Sequence, residues 1–275
     1  MLKTIQGNGL LLSLEGIKIM GIVNATPDSF YTHDVYTDLK GQQSQVSQMI
    51  AEGVDILDIG AVSTRPGAEE VGIEEEWKRL LPLLKWVRQE FPQVFISVDT
   101  FRSEIVKRAY DEGINMVNDI SAGKYDDQLW KTVGELQLPY VLMHMQGDPQ
   151  NMQDHPHYDD ISRELMDYFM AHIRTLTQHG IQEVIIDPGF GFGKTMTHNY
   201  ELLKNLSDFK LLSLPLMVGM SRKSMIYKYL EIKPTESLNG TSILNTYAAL
   251  HGAKIFRVHD VKEAKEMKLL LNQLA

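Results

Sequence analysis

Asp99, Asn118 and Asp187 each stand directly after a short apolar run, and Lys223, Arg257 and His259 follow or close two more such runs further along the chain. A carboxylate at the end of one strand ordinarily caps a helix or anchors a loop. Two carboxylates and an amide at three separate strand ends, with two cations beside them, instead describe one polar pocket, provided the strands converge. An ionised carboxylate only accepts hydrogen bonds, and it can take two parallel ones. The set therefore suits a ligand rich in N–H donors, and the planar edge of an aminopyrimidinone is such a ligand. Arg257 and His259 lie two residues apart, on one face of a strand, where both can donate to an anion, and a guanidinium fork matches phosphate geometry. They could equally pair with neighbouring acids such as Asp260, and residue types alone leave both readings open.

What must position these groups is a repeat. Eight apolar runs break into polar residues at their C-terminal ends: 19–23 ending at Asn24, 56–59 with Asp58, 95–98 ending at Asp99, 116–117 ending at Asn118, 140–143 ending at His144, 184–186 ending at Asp187, 216–218 leading to Ser221, and 255–258 ending at His259. Helical patterns fill the gaps: 42–52, 74–91, 103–112, 126–136, 161–179, 199–206, then 224–230 with 238–250, and 261–274. The second opens on Glu74, Glu75 and Glu76, where the helix dipole favours negative charge. This rhythm predicts an α/β fold, a single (β/α)8 TIM barrel over residues 1–275, with its active site at the C-terminal ends of the strands. The connections 25–41 and 61–73 are long for βα turns and sit on that face as candidate lids. In the closing helix, Met267, Leu270, Leu271 and Leu274 form a stripe to be covered within the chain or by a partner.

Composition narrows the function. No Pro/Ser/Gly-rich linker divides the 275 residues, so one domain is expected. With 27 basic against 36 acidic residues the net charge is -9, and no basic stripe with interleaved aromatics appears, which argues against nucleic acid. Cysteine is absent, removing disulfides and thiolate nucleophiles together. Apolar runs fall far short of the roughly 20 residues that span a bilayer, and residues 1–14 show no cleavage site of the A-x-A kind, so a cytoplasmic location without membrane contact is expected. Residues 188–195 brush against a phosphate loop, but Pro188 occupies the position of its first glycine. His155 and His157 with Asp159 look like a metal cluster but lie in a polar loop well past their strand, where a solvated reading is favoured.

Read in order, the strand ends resemble one family. Asn24-Ala25-Thr26-Pro27-Asp28-Ser29-Phe30, Asp58-Ile59-Gly60 running into Ser63-Thr64-Arg65-Pro66-Gly67, and Ser97-Val98-Asp99-Thr100 look like successive signatures of the dihydropteroate synthases. So do Asn118-Asp119-Ile120-Ser121, Leu142-Met143-His144-Met145-Gln146-Gly147, Asp187-Pro188-Gly189-Phe190-Gly191-Phe192-Gly193-Lys194, Ser221-Arg222-Lys223-Ser224 and Arg257-Val258-His259-Asp260. The resemblance implies a transferase that joins 6-hydroxymethyl-7,8-dihydropterin pyrophosphate to p-aminobenzoate in folate synthesis by an SN1-like path. It implies that Asp99, Asn118 and Asp187 hold the pterin edge, that Lys223 bonds its ring oxygen and nitrogen, and that Met143 and Phe192 pack around the ring. Arg257 would lie along the pterin and bind pyrophosphate with His259, and Asn24 would ligate Mg²⁺. Asp99, Lys223, Arg257 and His259 would carry catalysis. Thr64, Arg65, Pro66 and Ser224 would shape the arylamine pocket, where sulfonamides compete in this family. A homodimer is also implied.

The chain departs from that pattern in the two long connections. After Phe30 the family usually continues Ser-Asp-Gly-Gly, whereas here stand Tyr31, Thr32, His33 and Asp34; before Ser63 it usually reads Gly-Glu, whereas here stand Ala61 and Val62. Rival readings are a pterin-binding protein with altered or lost turnover, a methyltetrahydrofolate methyltransferase that shares the fold and the carboxylate–amide pocket, and a metal-dependent hydrolase resting on His155, His157 and Asp187. The methyltransferase would lack the signatures at 63–67 and 221–224.

Overall fold

The computed structural model describes residues 2–26, 35–62 and 71–274, with side chains from residue 39 onward in the middle stretch. The chain opens on a hairpin that the βα rhythm did not announce, β1 (Thr4–Gly7) against β2 (Leu10–Ser13). Its two-residue turn is Asn8-Gly9, with φ of 44° and 81°. Both values lie in the left-handed region that two-residue hairpin turns demand and that Asn-Gly supplies.

Eight parallel strands follow: β3 (Lys18–Asn24), β4 (Ile56–Gly60), β5 (Phe95–Asp99), β6 (Met116–Asp119), β7 (Tyr140–Met143), β8 (Val184–Asp187), β9 (Met217–Val218) and β10 (Ile255–Val258). They pair in the order β8-β7-β6-β5-β4-β3-β10-β9. A bridge from Ile186 to Leu216, with Ile186 N–H donating to Pro215 O at 3.0 Å, ties the remaining seam. The result is the nearly closed TIM barrel expected from the strand repeat. Helices return the chain outside it: α1 (Val35–Glu52), α2 (Ile73–Glu90), α3 (Ser103–Asp111), α4 (Leu129–Glu135), α5 (Ile161–Gln178), α6 (Met196–Lys204), α7 (Ser224–Tyr227), α8 (Leu238–Leu250) and α9 (Val261–Asn272). None among the described residues is long and apolar enough to cross a membrane.

The alternation of each strand sorts its residues between two cores. Ile19, Leu57, Ile59, Val98, Val117, Leu142, Ile186 and Phe256 face outward, where α2 for instance presents Leu80, Leu83, Leu84 and Val87 to them. That spacing is one helix face, and each such side chain contributes about 1.5–3 kcal/mol when buried. Met20, Ile56, Phe95, Met116, Val141, Ile185, Met217 and Ile255 face inward and fill the lower barrel, where Ile5 and Leu14 of the hairpin segment close it from below. Two residues further along, the inward positions turn polar in five strands, at Asp58, Ser97, Asn118, Asp187 and Arg257, while β3 and β7 place Ile22 and Met143 there. Asn24, Gly60, Asp99 and Asn118 are paired in register at one level, and Met143 pairs with Asp187.

Several boundaries differ from the sequence reading: α4 begins at Leu129 rather than 126, α6 at Met196 rather than 199, and α7 ends at Tyr227 rather than 230. Helix α1 begins at Val35 rather than 42, because Gly41 lies inside it beside open space and does not end it. The connection 25–41 is correspondingly shorter, and its residues 27–34 lie outside the described residues. The segment 199–206 is split: α6 ends at Lys204 and a 3-10 turn runs from Leu206 to Leu212.

Candidate active site

The upper mouth of the barrel holds a chain of charges. Arg257, inward on β10, donates from Nε to Asp58 Oδ2 at 2.6 Å and from Nη2 to Asp99 Oδ2 at 2.6 Å. Asn118 Nδ2 donates to the same Asp58 Oδ2 at 3.0 Å, which leaves the amide oxygen of Asn118 as its acceptor for a ligand. Asp58 is fully buried and Asn118 nearly so. Gly60 makes room for this arrangement, since a Cβ there would lie 3.0 Å from Asp99 Cβ.

Across the mouth, Asp187 is buried at the end of β8 and accepts the N–H of Gly189 at 2.8 Å. Lys223 enters from the turn after β9. Its Nζ donates to Phe190 O and stands 4.5 Å from the centroid of the Phe192 ring. A Cβ on Gly219 would come within 3.7 Å of Arg257 Cβ and 4.0 Å of Lys223 Nζ, so both cations converge over β9. His259, just past β10, places Nδ1 3.0 Å from Ser221 Oγ. Asp260 is engaged by Arg222 at 2.5 Å, so Arg257 takes its acids from within the barrel and not from its neighbour in sequence.

Burial and charge together set the protonation states. Burial pushes the Asp99 carboxyl up to about 7 against the pull of Arg257, and the nearby Asp58 charge pushes the same way. Burial also raises Asp187, opposed by Lys223 and by the Gly189 N–H. Burial pushes Lys223 down to about 8 although Asp187 holds it up. Desolvation works against the charge on Arg257 as well, but Asp58 and Asp99 outweigh it and keep the guanidinium above its ordinary value. The pocket is thus a set of carboxylate and amide acceptors faced by two cations at their edge, Arg257 between Asp58 and Asp99 and Lys223 beside Asp187.

The loop after β8 is held at nearly every peptide. Gly191 N–H donates to Asn199 Oδ1 at 2.7 Å, Gln153 Nε2 donates to Gly191 O at 2.7 Å, and Tyr158 Oη donates to Gly193 O at 2.8 Å. Lys194 is buried and donates to Phe192 O at 2.9 Å, with His144 Nδ1 at 3.0 Å. Gly189 has φ of 67°, and a Cβ there would fall 2.0 Å from His144 O. No side chain fits that approach.

The sequence-derived residues therefore sort as follows. Asp99, Asn118, Asp187, Lys223 and Arg257 share one mouth, with Met143 buried beside Asp187 and Phe192 half-buried against Lys223. Asn24 is exposed at the rim, at the level of Asp99, and Ser224 is half-buried at the start of α7. Thr64, Arg65 and Pro66 lie outside the described residues. His157 and Asp159 pair with each other at 3.2 Å in solvent, and no group of three or more potential metal-ligating His, Cys, Asp or Glu occurs among the described residues. The residue that the sequence reading named at its strand but gave no role is Asp58, the acceptor on which Arg257 and Asn118 meet. Its signal was the two-residue alternation, which puts it on the same inward face as Ile56 and Gly60.

The profile of the family described as pterin binding enzyme matches residues 20–259. The chain is 44% identical over 260 residues to the dihydropteroate synthase of Escherichia coli strain K12, covering 94% of this chain and 92% of that one. It is 40% identical over 247 residues to the dihydropteroate synthase of Synechocystis, covering 89% and 85% of the two chains. Among solved structures, Yersinia pestis dihydropteroate synthase with a sulfonamide drug complex superposes with a TM-score of 0.92 at 38% identity over 98% of both chains. Xanthomonas albilineans dihydropteroate synthase with 4-aminobenzoic acid superposes with a TM-score of 0.91 at 34% identity, again over 98% of both.

Proposed function

The chain belongs to the pterin-binding enzyme family, among the dihydropteroate synthases, and on that premise we propose that it condenses 6-hydroxymethyl-7,8-dihydropterin pyrophosphate with p-aminobenzoate to 7,8-dihydropteroate and pyrophosphate. The observation that carries this reading is the convergence of Asp99, Asn118 and Asp187 as acceptors in one buried mouth with Arg257 and Lys223 at its edge. The aminopyrimidinone edge of a pterin presents N–H donors to those acceptors and its ring oxygen and nitrogen to Lys223, while Met143 and Phe192 cover the ring.

The C–O bond between the pterin methylene and pyrophosphate breaks with its electron pair on the leaving oxygen. Arg257 and His259 donate toward that oxygen's charge, the electrostatic contribution that usually dominates such catalysis. Asp99 faces the positive charge left on the pterin. The arylamine nitrogen then supplies the pair for the new C–N bond and sheds a proton afterwards, so no general base is needed before attack. Asn24 offers a hard carbonyl oxygen at the rim, and a Mg²⁺ ion that keeps its waters and substrate phosphates needs only one or two protein oxygens. The donor set therefore fits the ion, which when bound would neutralise the leaving group. Thr64, Arg65, Pro66 and Ser224 belong to the arylamine side, and sulfonamides are expected to compete there.

The same reading makes the chain a cytoplasmic homodimer. On α8, Ile243, Tyr247 and Leu250 are exposed at helical spacing. Of the stripe on the closing segment, Met267 is buried, whereas Leu270 and Leu274 are exposed at 70% and 81% and are left for a partner. Formation of dihydropteroate from the two substrates, measured with and without Mg²⁺ beside calorimetric titration of a pterin ligand, tests the proposal. Product confirms the synthase. Binding without product would place the fault in the altered connections, and no binding at all would overturn the assignment.

A further inference from the structure

Outside the pocket, one fully buried carboxylate is spent on contacts that the reaction does not use. Glu76, in the first turn of α2, accepts Thr100 Oγ1 on Oε1 at 2.7 Å and Arg102 Nη1 on Oε2 at 2.5 Å. Arg102 is itself mostly buried, lies over the Phe101 ring at 5.0 Å, and donates from Nη2 to Val71 O at 2.5 Å. One turn further along α2, Arg79 reaches Ala61 O from Nη1 at 3.4 Å while its Nε is held by Glu75 at 2.9 Å. Ala61 and Val71 are the two stems of the connection between β4 and α2. Thr100, the third partner, follows Asp99 directly and donates its N–H to Asn118 O at 3.1 Å.

Serving the helix dipole does not explain this arrangement. Glu74 and Glu75 occupy the same first turn in solvent, where the favourable interaction with the N-terminus comes without desolvation. Burying Glu76 is tolerable only because a guanidinium and a hydroxyl meet both of its oxygens, and the guanidinium so held is the one that grips the backbone at Val71. Arg79 grips the opposite stem from the same helix face. Both ends of the connection are therefore fixed against the strand end that carries the pterin carboxylate.

We propose that Glu76 and Arg102 are positioning residues for the arylamine side of the reaction, acting by fixing the stems of the 61–72 connection relative to Asp99. The inference rests on the preceding functional reading in one respect, that residues 64–66 touch the arylamine. Arg102→Met is expected to raise KM for p-aminobenzoate about tenfold while the Kd of a pterin ligand changes by less than about twofold, and Arg102→Lys, with one cation still able to reach Glu76 or Val71 O, is expected to recover part of the loss. In the ligand-free protein, amide exchange at Val62, Val71 and Gly72 is expected to accelerate in Arg102→Met. A lowered Tm with unchanged KM and unchanged exchange would overturn the proposal and reduce the network to a structural role. If the wild type makes no dihydropteroate, the functional reading fails, and the exchange experiment still decides whether the stems are held. Should Arg102→Met not fold, Glu76→Gln carries the same two measurements with the same outcomes.

Discussion

Asp58→Asn is nearly isosteric, yet it should loosen the hold on Arg257 without turning the pocket's acceptors away from a ligand. In the native site one oxygen of Asp58 accepts both Arg257 Nε at 2.6 Å and Asn118 Nδ2 at 3.0 Å, while its other oxygen is buried with no partner among the described residues. The carbonyl oxygen of an asparagine at 58 has two lone pairs, so it can take the place of the first oxygen and keep both bonds, and its NH₂ replaces the oxygen that has no partner. Asn118 therefore keeps its orientation and its oxygen toward the ligand. What changes is the charge: Arg257 is left with Asp99 as its paired acid, and a charge-assisted bond becomes a neutral one, about 1 kcal/mol, which for a chain of this size lowers Tm by about 2–4 °C. The Kd of a pterin ligand should change by less than about threefold. Thermal unfolding and calorimetry of a pterin ligand measure the two effects separately. An unchanged Tm, or a pterin Kd raised about tenfold or more, would refute the reasoning.

Three further outcomes are expected. With Asp99 pushed up to about 7 and Lys223 down to about 8, kcat/KM for the pterin substrate should fall on both sides of that window: below it Asp99 takes up a proton, loses its charge and turns one oxygen into a donor, and above it Lys223 loses a proton and donates poorly. Asp99→Asn should lower the profile and remove its acid limb, and a profile flat from about 6 to about 9 would contradict the assignment. Lys194→Met should cost about 2–4 kcal/mol in urea unfolding, because Phe192 O and a neighbouring carbonyl lose their donor inside the protein. Thr32→Asp, which restores the acid usual in this family to the first connection, should lower KM for p-aminobenzoate and leave pterin affinity alone; an unchanged KM would argue against a role for that position.

The barrel was legible because each strand announces itself twice, by an apolar run and by the polar residue that ends it. Asp99, Asn118 and Asp187 could be placed in one pocket for that reason. Asp58 was named with its run but given no role because it stands inside the run, not at the end, and only the alternation of the strand reveals that it faces the same space as Asp99. The hairpin β1–β2 was missed although Asn8-Gly9 is the strongest short-range hairpin signal, because the βα rhythm starts only afterwards. Gly41 misled in the other direction: read as a boundary, it is accommodated inside α1, where tertiary packing of Leu39 and Val46 outweighs local propensity. The partners of Arg257 could not be read at all, since Asp260 is adjacent in sequence while Asp58 is distant, and only barrel closure decides between them.

That distance has a consequence for how the molecule is made. Asp58 and its cation Arg257 are separated by 199 residues, and Asp99 and Arg257 by 158. A ribosome working at about 5–20 residues per second delivers the arginine roughly 10–40 s after the first carboxylate. Throughout that interval the inner wall of the unfinished barrel contains acids whose counter-charge has not yet been synthesised, and burying them unpaired is prohibitively expensive. The upper mouth must therefore stay open to water until the eighth parallel strand docks, so the last strand to emerge both closes the barrel and completes the site.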